Sequence, residues 1–302
     1  MLSRRTLLKS AAAFAIPVMA AESEWGGPVI DIHLHPRPTP PENLAHVEGC
    51  GATAAVLLTN YAAEAQAKAT MDTYPGRFYR FISIDVTRPD AVELFTKAVK
   101  GGAIGFGELK YHVACDGPEM NRMYDLAAEL NVPLTMHFQE VSQAAAAGKF
   151  NYNFERLPAM LKAHPKTKFI GHADYFWANI SAEVKPDVAY PKGPVKRGGL
   201  TDKMLSDYPN LYADLSANSC RNALARDLDF SRDFLARHQD KIMFGSDCSC
   251  RDGHGAGQRS QEPLIAGKCV ARETLTALKQ LCSPEVFRKA TWDNAHRVLR
   301  LS

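Results

Sequence analysis

The chain contains 302 residues, of which 46% are hydrophobic and 23% charged, as in folded globular proteins and unlike disordered chains. Its 36 Lys and Arg residues exceed its 33 Asp and Glu residues by three, and Arg4, Arg5 and Lys9 account for that excess. The remainder is neutral, which argues against nucleic acid or an anionic membrane surface as the main partner, because both attract basic proteins. We therefore expect a small-molecule partner.

The first twenty residues have the pattern of an export signal. The segment 3–9, SRRTLLK, resembles a twin-arginine motif, an apolar run follows over 10–19, and small residues near Ala20 suit cleavage. The apolar run is shorter than the ~20 residues that a membrane span needs. We predict a twin-arginine-type signal peptide over residues 1–20, removed on export to the periplasm, with no stable membrane anchor afterwards.

From residue 29 onward, short apolar runs alternate with amphipathic segments, which predicts parallel strands joined by helices. The predicted strands are 29–35, 54–60, 81–86, 103–110, 134–138, 168–172, 211–215 and 242–247. The predicted helices include 62–74, 90–100, 119–130, 154–163 and 221–238. Eight repeats in about 250 residues match a (β/α)8 TIM barrel. We predict one barrel over residues 26–302, in preference to a doubly wound sheet, because no Gly-rich phosphate turn follows the first strand.

Two histidines end the first predicted strand, in the sequence Asp31-Ile32-His33-Leu34-His35. Alternate strand residues project to one face, so His33 and His35 are expected to face the barrel interior together. Barrel enzymes carry their chemistry at the C-terminal ends of the strands. Two imidazoles there can share a metal ion, although this pair alone is weak evidence, and two partly buried polar residues at a strand end are the commoner explanation.

Further metal-type side chains lie at the C-terminal ends of other predicted strands. His137 ends the fifth strand, His172 the sixth and Asp247 the eighth. Four histidines and one aspartate in these places are hard to explain by packing, and imidazole with carboxylate is the ligand set of a catalytic zinc, manganese or iron site. The sequence therefore predicts a divalent-metal site, most naturally for Zn²⁺, at the barrel mouth.

The fourth predicted strand adds Glu108 and Lys110, which alternate onto one face of the strand. Either side chain could reach the metal region. The alternative is a salt-bridged pair at the barrel rim.

The order of these residues resembles the amidohydrolase superfamily: His-x-His on strand one, an acid on strand four, His on strands five and six, and Asp on strand eight. The resemblance is to the amidohydrolase-related branch, which also contains aminocarboxymuconate-semialdehyde and resorcylate-type decarboxylases. It extends over residues 29–301 and includes 244–247, FGSD, and a C-terminal segment, 293–299, similar to the family's closing helix.

This resemblance implies one of two metal arrangements. In the decarboxylase-like form, one ion is held by His33, His35, His137 and Asp247, and His172 stays off the metal. In the binuclear form, His33, His35 and Asp247 hold one ion, and His137 and His172 hold the second. Glu108 would then bridge the two ions, or a carboxylated Lys110 would do so, as in some members of the family.

The resemblance also implies catalytic roles. Asp247 accepts a proton from attacking water, and His172 orients the substrate or donates a proton to the leaving group. The leading prediction is hydrolysis of a C–O or C–N bond in a lactone, ester or amide. The alternative is a decarboxylase or hydratase of an aromatic or unsaturated carboxylate, and an inactive barrel that serves as a binding module is a third interpretation. The sequence leaves the oligomeric state open, a homo-oligomer included.

A long irregular connection, 173–199, follows the sixth strand and is predicted to be an active-site loop. Its first aromatic residues, Tyr175 and Trp177, are predicted to contact substrate, as are Lys110 and His112 after strand four. Cys248 and Cys250 directly follow Asp247, and we expect them to pack or to line the pocket, a soft metal ligand or a local disulfide being the alternatives.

Overall fold

Eight parallel strands, in sequence order, form the centre of the protein in a computed structural model that describes residues 23–141, 148–185, 187–258 and 265–301. The predicted signal peptide lies outside the described residues. The strands are β1 (Ile30–Leu34), β2 (Ala54–Asn60), β3 (Phe78–Ser83), β4 (Phe106–Leu109), β5 (Pro133–His137), β6 (Lys168–His172), β7 (Leu211–Asp214) and β8 (Ile242–Met243).

The two ends of the sheet meet at a seam between β1 and the segment after β8. Ile32 N donates to Phe244 O at 3.0 Å, and Asp247 N donates to His33 O at 2.8 Å. Ser246 N adds a hydrogen bond to the Asp31 carboxylate at 2.9 Å. These bonds continue the sheet around the seam, and the predicted (β/α)8 barrel is confirmed.

Helices connect the strands on the outside of the barrel. They are α1 (Pro40–Gly49), α2 (Glu64–Thr73), α3 (Ala91–Lys100), α4 (Pro118–Glu129), α5 (Leu157–Ala163), α6 (Asp174–Ala178), α7 (Leu200–Asp207), α8 (Ala217–Ala225), α9 (Leu228–Arg237), α10 (Val270–Leu281), α11 (Pro284–Arg288) and α12 (Asn294–Leu299). None of the helices in the described ranges combines the length and apolar character that a bilayer span requires.

Two hydrophobic clusters divide the core. The smaller one joins residues of β2 and β3 with residues of β6 and β7, which can touch only across the barrel interior, and it includes residues of β1 and β8. Val298 and Leu299 of α12 complete it, so the C-terminal helix closes one end of the barrel. The larger cluster packs the outer face of the sheet against the helices.

One predicted helix and one predicted strand have different bounds in the structure. The helix predicted over 221–238 is two helices, because Asp227 begins α9 by accepting a hydrogen bond from Phe230 N at 3.0 Å. The third strand begins at Phe78, three residues before its predicted start. This strand contains a buried arginine, Arg80. Its side chain extends to the C-terminal end of α3, where the guanidinium donates to Ala98 O and Gly101 O.

Candidate metal centre at the barrel mouth

The side chains predicted as metal ligands all lie at one end of the barrel. His137 and His172 are the last residues of β5 and β6, Glu108 is the third residue of β4, and Asp247 follows β8. The hydrogen-bond register of β1 shifts between Asp31 and Leu34, and the side chains of both histidines of this strand reach the same site.

The first group consists of His33, His35 and Asp247. Asp247 Oδ1 lies 3.4 Å from His35 Nε2 and 3.8 Å from His33 Nε2. His33 is buried, whereas the side chains of His35 and Asp247 are 47% and 31% exposed. Asp247 has a left-handed backbone (φ 50°), a conformation that aspartate adopts more readily than most residues. The group therefore faces solvent on one side, where a substrate can enter.

The second group consists of Glu108, His137 and His172, and its carboxylate connects the two groups. Glu108 Oε1 forms a short contact with His137 Nδ1 and lies 3.4 Å from His172 Nε2. The other oxygen, Oε2, points to the first group and lies 3.6 Å from His35 Nε2. Glu108, not Lys110, thus occupies the strand-four position between the two sets of histidines.

A buried aspartate at the end of β7, Asp214, fixes two of the histidines, and the sequence analysis missed it. Its Oδ2 lies 2.6 Å from His33 Nδ1 and 3.3 Å from His172 Nδ1. Ser216 Oγ adds a contact of 2.8 Å to His172 Nδ1. The signal in the sequence was an acid that ends an otherwise apolar strand, LYAD, at the same end as the histidines.

The geometry of the mouth fits a divalent cation. His33 Nε2 is buried and has no hydrogen-bond partner among the described residues, although Nδ1 of the same ring is bound to Asp214. Two three-residue groups at the mouth bring potential ligand atoms within 4.8 Å of one another: His33, Glu108 and His172, and His33, His35 and Asp247. In metal sites, a histidine that binds the metal through one ring nitrogen is usually held in place by a carboxylate hydrogen-bonded to the other nitrogen.

The charges at the mouth are strongly coupled. Burial disfavours the imidazolium of His33, but the carboxylates of Asp214 and Asp247 outweigh burial and raise its pKa to about 10. Burial also disfavours the carboxylate of Glu108, but the positive field of His137 and His172 holds its pKa well below the usual range. Burial and the charge of His33 lower the pKa of His172. The carboxylates at the mouth are therefore ionised and attract positive charge near neutral pH.

Two of the predicted substrate contacts lie at the rim of this site. Lys110 is exposed, with Nζ 5.2 Å from the centre of the Phe150 ring, and the His112 ring stacks on Phe150 at 4.3 Å. Phe150 in turn meets His137 edge-on, with ring centres 5.8 Å apart. The Phe150 ring thus lies between the side chains of Lys110 and His112 on one side and His137 on the other.

The other two predicted substrate contacts lie behind the site. Trp177 is fully buried, and its indole N–H donates to Asp214 O at 3.2 Å. Tyr175 is half-buried and packs against Phe154 with ring centres 5.8 Å apart. Because the connection after β6 begins with α6, both aromatics pack inward. Trp177 therefore holds the backbone of Asp214 in place, and the prediction that it contacts substrate is wrong because its side chain is fully buried.

A cavity of about 250 Å³ opens beside Glu108 and His35. Its other lining residues are Pro36, Leu58, Asn60, Ala63 and Ser83. Ser83 was not singled out from the sequence; its Oγ donates to Glu108 O at 2.6 Å and lies 2.8 Å from the hydroxyl of Tyr111. Cys248 and Cys250 do not line this cavity; they are buried, and no disulfide joins them.

The amidohydrolase family profile matches residues 30–301. A comparison with curated proteins finds no match. A probable 2-pyrone-4,6-dicarboxylic acid hydrolase from Acinetobacter baumannii shares the fold with a TM-score of 0.60 at 13% identity, over 91% of this chain and 100% of that one. A dihydroorotase from Campylobacter jejuni has a TM-score of 0.56 at 17% identity, over 91% of this chain and 84% of the other.

A decarboxylase also shares the architecture. The 2,6-dihydroxybenzoate decarboxylase from Rhizobium has a TM-score of 0.51 at 14% identity, over 91% of this chain and 99% of that one. At these identities the likeness shows a common fold and leaves the substrate open. The family profile covers nearly all of the described barrel, and with it the side chains at the mouth. The chain therefore belongs to the amidohydrolase family and is an enzyme, a metal-dependent hydrolase or decarboxylase.

Proposed function

We propose that the protein is a metal-dependent hydrolase that cleaves a C–O or C–N bond in a lactone, ester or amide. The observation that carries this proposal is the position of Glu108, whose two carboxylate oxygens face different sets of histidines. A carboxylate between two ligand sets suits two cations, with His33, His35 and Asp247 holding one and His137 and His172 the other. Two cations favour hydrolysis over decarboxylation.

Asp247 is the proton-transfer group in this proposal, and His172 orients the substrate. A bound divalent cation supplies Lewis acidity, which polarises a substrate carbonyl and makes water acidic enough to lose its proton near neutral pH. Burial works against the charge on Asp247, but His33 and His35 hold the pKa of its carboxyl below the ordinary range, so it is ionised and can accept a proton and return it to the leaving group. His172 would hold the second cation through Nε2, since Ser216 and Asp214 contact its Nδ1.

A decarboxylase or hydratase is the second candidate, and the environment of His172 supports it. The group of His33, His35 and Asp247 is a complete set of three ligands without His172. Ser216 and Asp214 hold the Nδ1 side of His172, which leaves Nε2 facing the mouth. An imidazole held this way beside one cation could protonate a carbon after loss of CO₂.

Metal content and a substrate panel separate the two candidates. The purified protein is loaded with Zn²⁺, and the metal bound per chain is measured by elemental mass spectrometry for the wild type and for His172→Ala. Hydrolysis with two ions at the mouth predicts that the variant binds one ion fewer than the wild type, with turnover of a lactone, ester or amide by the wild type. Equal metal content in the variant and the wild type, with CO₂ release from an aromatic carboxylate, would reject the hydrolase proposal.

We further propose Zn²⁺ as the metal, since nitrogen and carboxylate oxygen are its usual catalytic ligands, with Mn²⁺ and Fe²⁺ as the alternatives. Activity regained by the metal-free protein with each ion decides among them. If Mn²⁺ or Fe²⁺ restores more activity than Zn²⁺ at equal occupancy, the assignment to zinc is wrong.

We also propose that residues 1–20 direct export by the twin-arginine route and are removed, which leaves a periplasmic barrel of residues 26–302. The support is the arginine pair and the acid-free apolar run in the sequence. N-terminal sequencing of protein from the periplasmic fraction should find a start between residues 21 and 25. A chain that still begins at Met1 contradicts cleavage, and replacing both arginines with lysine should keep the protein in the cytoplasm.

A further inference from the structure

A second group of metal-type side chains lies away from the barrel mouth, beside α1 and α10. It consists of His46 on α1, Cys248 and Cys250 after β8, and Cys269 directly before α10, and we call it the thiol cluster. All four residues are at most 3% exposed. One potential ligand atom from each lies within 4.8 Å of those of the other three.

The distances within the thiol cluster are close to those of a tetrahedral zinc site. Zinc bonds of about 2.3 Å to sulfur and 2.0–2.1 Å to nitrogen place two sulfurs about 3.8 Å apart, and a sulfur and a nitrogen about 3.6 Å apart. Cys248 Sγ lies 3.2 Å from Cys250 Sγ and 3.9 Å from Cys269 Sγ. His46 Nδ1 lies 3.5 Å from Cys250 Sγ. Small side-chain movements would bring the four donors around one ion.

The surroundings of Cys248 favour a thiolate. Val270 N donates to Cys248 Sγ at 3.3 Å. A backbone hydrogen bond of this kind stabilises the negative charge of a ligating sulfur.

A buried cation balances the charge nearby. Arg37 is 7% exposed, and its guanidinium donates to the backbone carbonyls of Cys248 and Cys250, the latter at 2.9 Å. Three thiolates with one divalent ion carry a net charge of minus one, which this guanidinium can offset. His46 Nδ1, the ring nitrogen nearest to the sulfurs, also lies 3.1 Å from Cys250 O, and the ring would exchange that contact for the ion.

We propose that the thiol cluster is a second, structural metal site, which binds Zn²⁺ through His46, Cys248, Cys250 and Cys269. Four protein ligands leave no open coordination position, and the absence of an exposed ligand keeps substrate and water away. The ion would tie the segment after β8 to α1 and α10. Because Cys248 follows Asp247 in the chain, the same ion would anchor the backbone that carries Asp247 to the mouth.

The competing use of these residues is a disulfide. A disulfide would require two of the sulfurs to approach to about 2.05 Å, and it would leave the third thiol and His46 without a role. Cys248 Sγ contacts both Cys250 and Cys269 at once, whereas a disulfide can satisfy only one of those contacts. One ion shared by four donors uses every member of the cluster.

The test compares Cys269→Ser with a matched control, Cys115→Ser, in the full-length protein. Cys115 is also buried, lies outside the thiol cluster and donates to Asn153 O at 3.0 Å, a hydrogen bond that serine can keep. Zinc-loaded wild type and control should hold one more ion per chain than Cys269→Ser. After exchange to Co²⁺, wild type and control should show an intense sulfur-to-cobalt charge-transfer band, and Cys269→Ser should lose it.

The wild type alone decides the matter if Cys269→Ser does not fold. The mouth offers no sulfur ligand among the described residues, so a charge-transfer band in the cobalt protein reports the thiol cluster. In unfolding buffer with a chelator, a thiol-reactive probe should modify all seven cysteines, because a metal site, unlike a disulfide, leaves its cysteines reduced. The absence of the band, equal zinc in variant and control, or two fewer thiols in metal-free protein, which indicates a disulfide, would each overturn the proposal.

Discussion

The barrel mouth and the thiol cluster are two groups of metal-type side chains that are adjacent in the chain, since Asp247 belongs to the first and Cys248 to the second. They differ in their donor atoms and in their exposure to solvent. The mouth uses nitrogen and oxygen donors, and its His35 and Asp247 side chains are 47% and 31% exposed. The thiol cluster uses three sulfurs and one imidazole, all buried. The more important difference is access of solvent and substrate to the metal, because a catalytic metal needs an open coordination position and a structural metal needs none.

The backbone at Asp247 makes this division possible. Its left-handed φ of 50° turns the chain, so that the Asp247 side chain reaches the mouth while Cys248 is buried against Cys250 and Cys269. Arg37 then connects the two regions, because one guanidinium donates to His35 O at 2.7 Å and also to the carbonyls of Cys248 and Cys250. Substitutions that act on one region and spare the other test the comparison.

The largest effect is expected for Asp247→Asn. The amide keeps the size of the side chain but cannot accept a proton near neutral pH, so turnover should fall by about 10²–10⁴-fold. The fold and the cobalt charge-transfer band of the thiol cluster should be unchanged. The measurements are kcat/KM with the substrate found in the panel and the circular dichroism spectrum.

Activity of Asp247→Asn within a few-fold of wild type, with metal still bound, would show that another residue accepts the proton. His172 would be the next candidate, and the decarboxylase alternative would gain support.

Asp214→Asn should have the next largest effect. The change removes the charge that holds Nδ1 of both His33 and His172, and loss of such a partner typically costs about 10–100-fold in metal affinity or activity. Asp202→Asn is the matched control, since Asp202 accepts from His238 Nε2 at 2.7 Å on the outer helices. Equal loss of zinc affinity in both variants would refute a specific role for Asp214.

Gly245→Ala tests the packing behind the mouth. A Cβ at this position would lie 2.4 Å from Asp214 Oδ1 and 2.8 Å from His33 Cβ, so these groups must move. Overpacking of this kind costs about 1–3 kcal/mol in the free energy of unfolding. Gly27→Ala, which meets no atom within 4 Å, is the control, and its denaturant midpoint should match the wild type. An unchanged midpoint for Gly245→Ala would show that the site relaxes freely.

The smallest effect is expected for Arg37→Lys. Lysine keeps the charge but cannot reproduce the planar set of donors that reaches three carbonyls, and each lost hydrogen bond contributes about 0.5–1.5 kcal/mol. Arg88→Lys, in an exposed pair with Asp90, is the same change without burial and should leave the free energy of unfolding almost unchanged. If the two variants are equally stable, Arg37 does not link the two regions energetically.

The sequence predicted the barrel and the residues at its mouth for a local reason. A side chain at the C-terminal end of a strand can be recognised from its own strand, and parallel strands bring these ends together. Thus His33, His137 and His172 were found, and Glu108 was found with Lys110 as a rival. Only the structure decides between the last two, because the separation of Glu108 from the histidines depends on how four strands are placed.

The thiol cluster could not be predicted in the same way. Cys269 lies 19 residues after Cys250, and His46 comes from the opposite end of the chain, so no spacing pattern connects them. Asp214 ends its own strand and so gave the same local signal, but its role, which is to hold His33 and His172, cannot be seen from β7 alone. Both cases depend on contacts between distant segments, which the order of residues along one strand does not reveal.

The seam has a consequence for when the mouth is formed. The hydrogen bond from Ser246 to Asp31 joins residues 215 apart in the chain, and Asp247 N to His33 O spans a similar distance. Contacts this far apart form late, because the entropy lost in closing a long loop must be compensated by many native contacts. The amide protons of Ile32 and Asp247 should therefore exchange with solvent at the rate of barrel opening. A cation bound between His33 and Asp247 joins the two sides of the seam, so its binding should slow that exchange in proportion to the affinity.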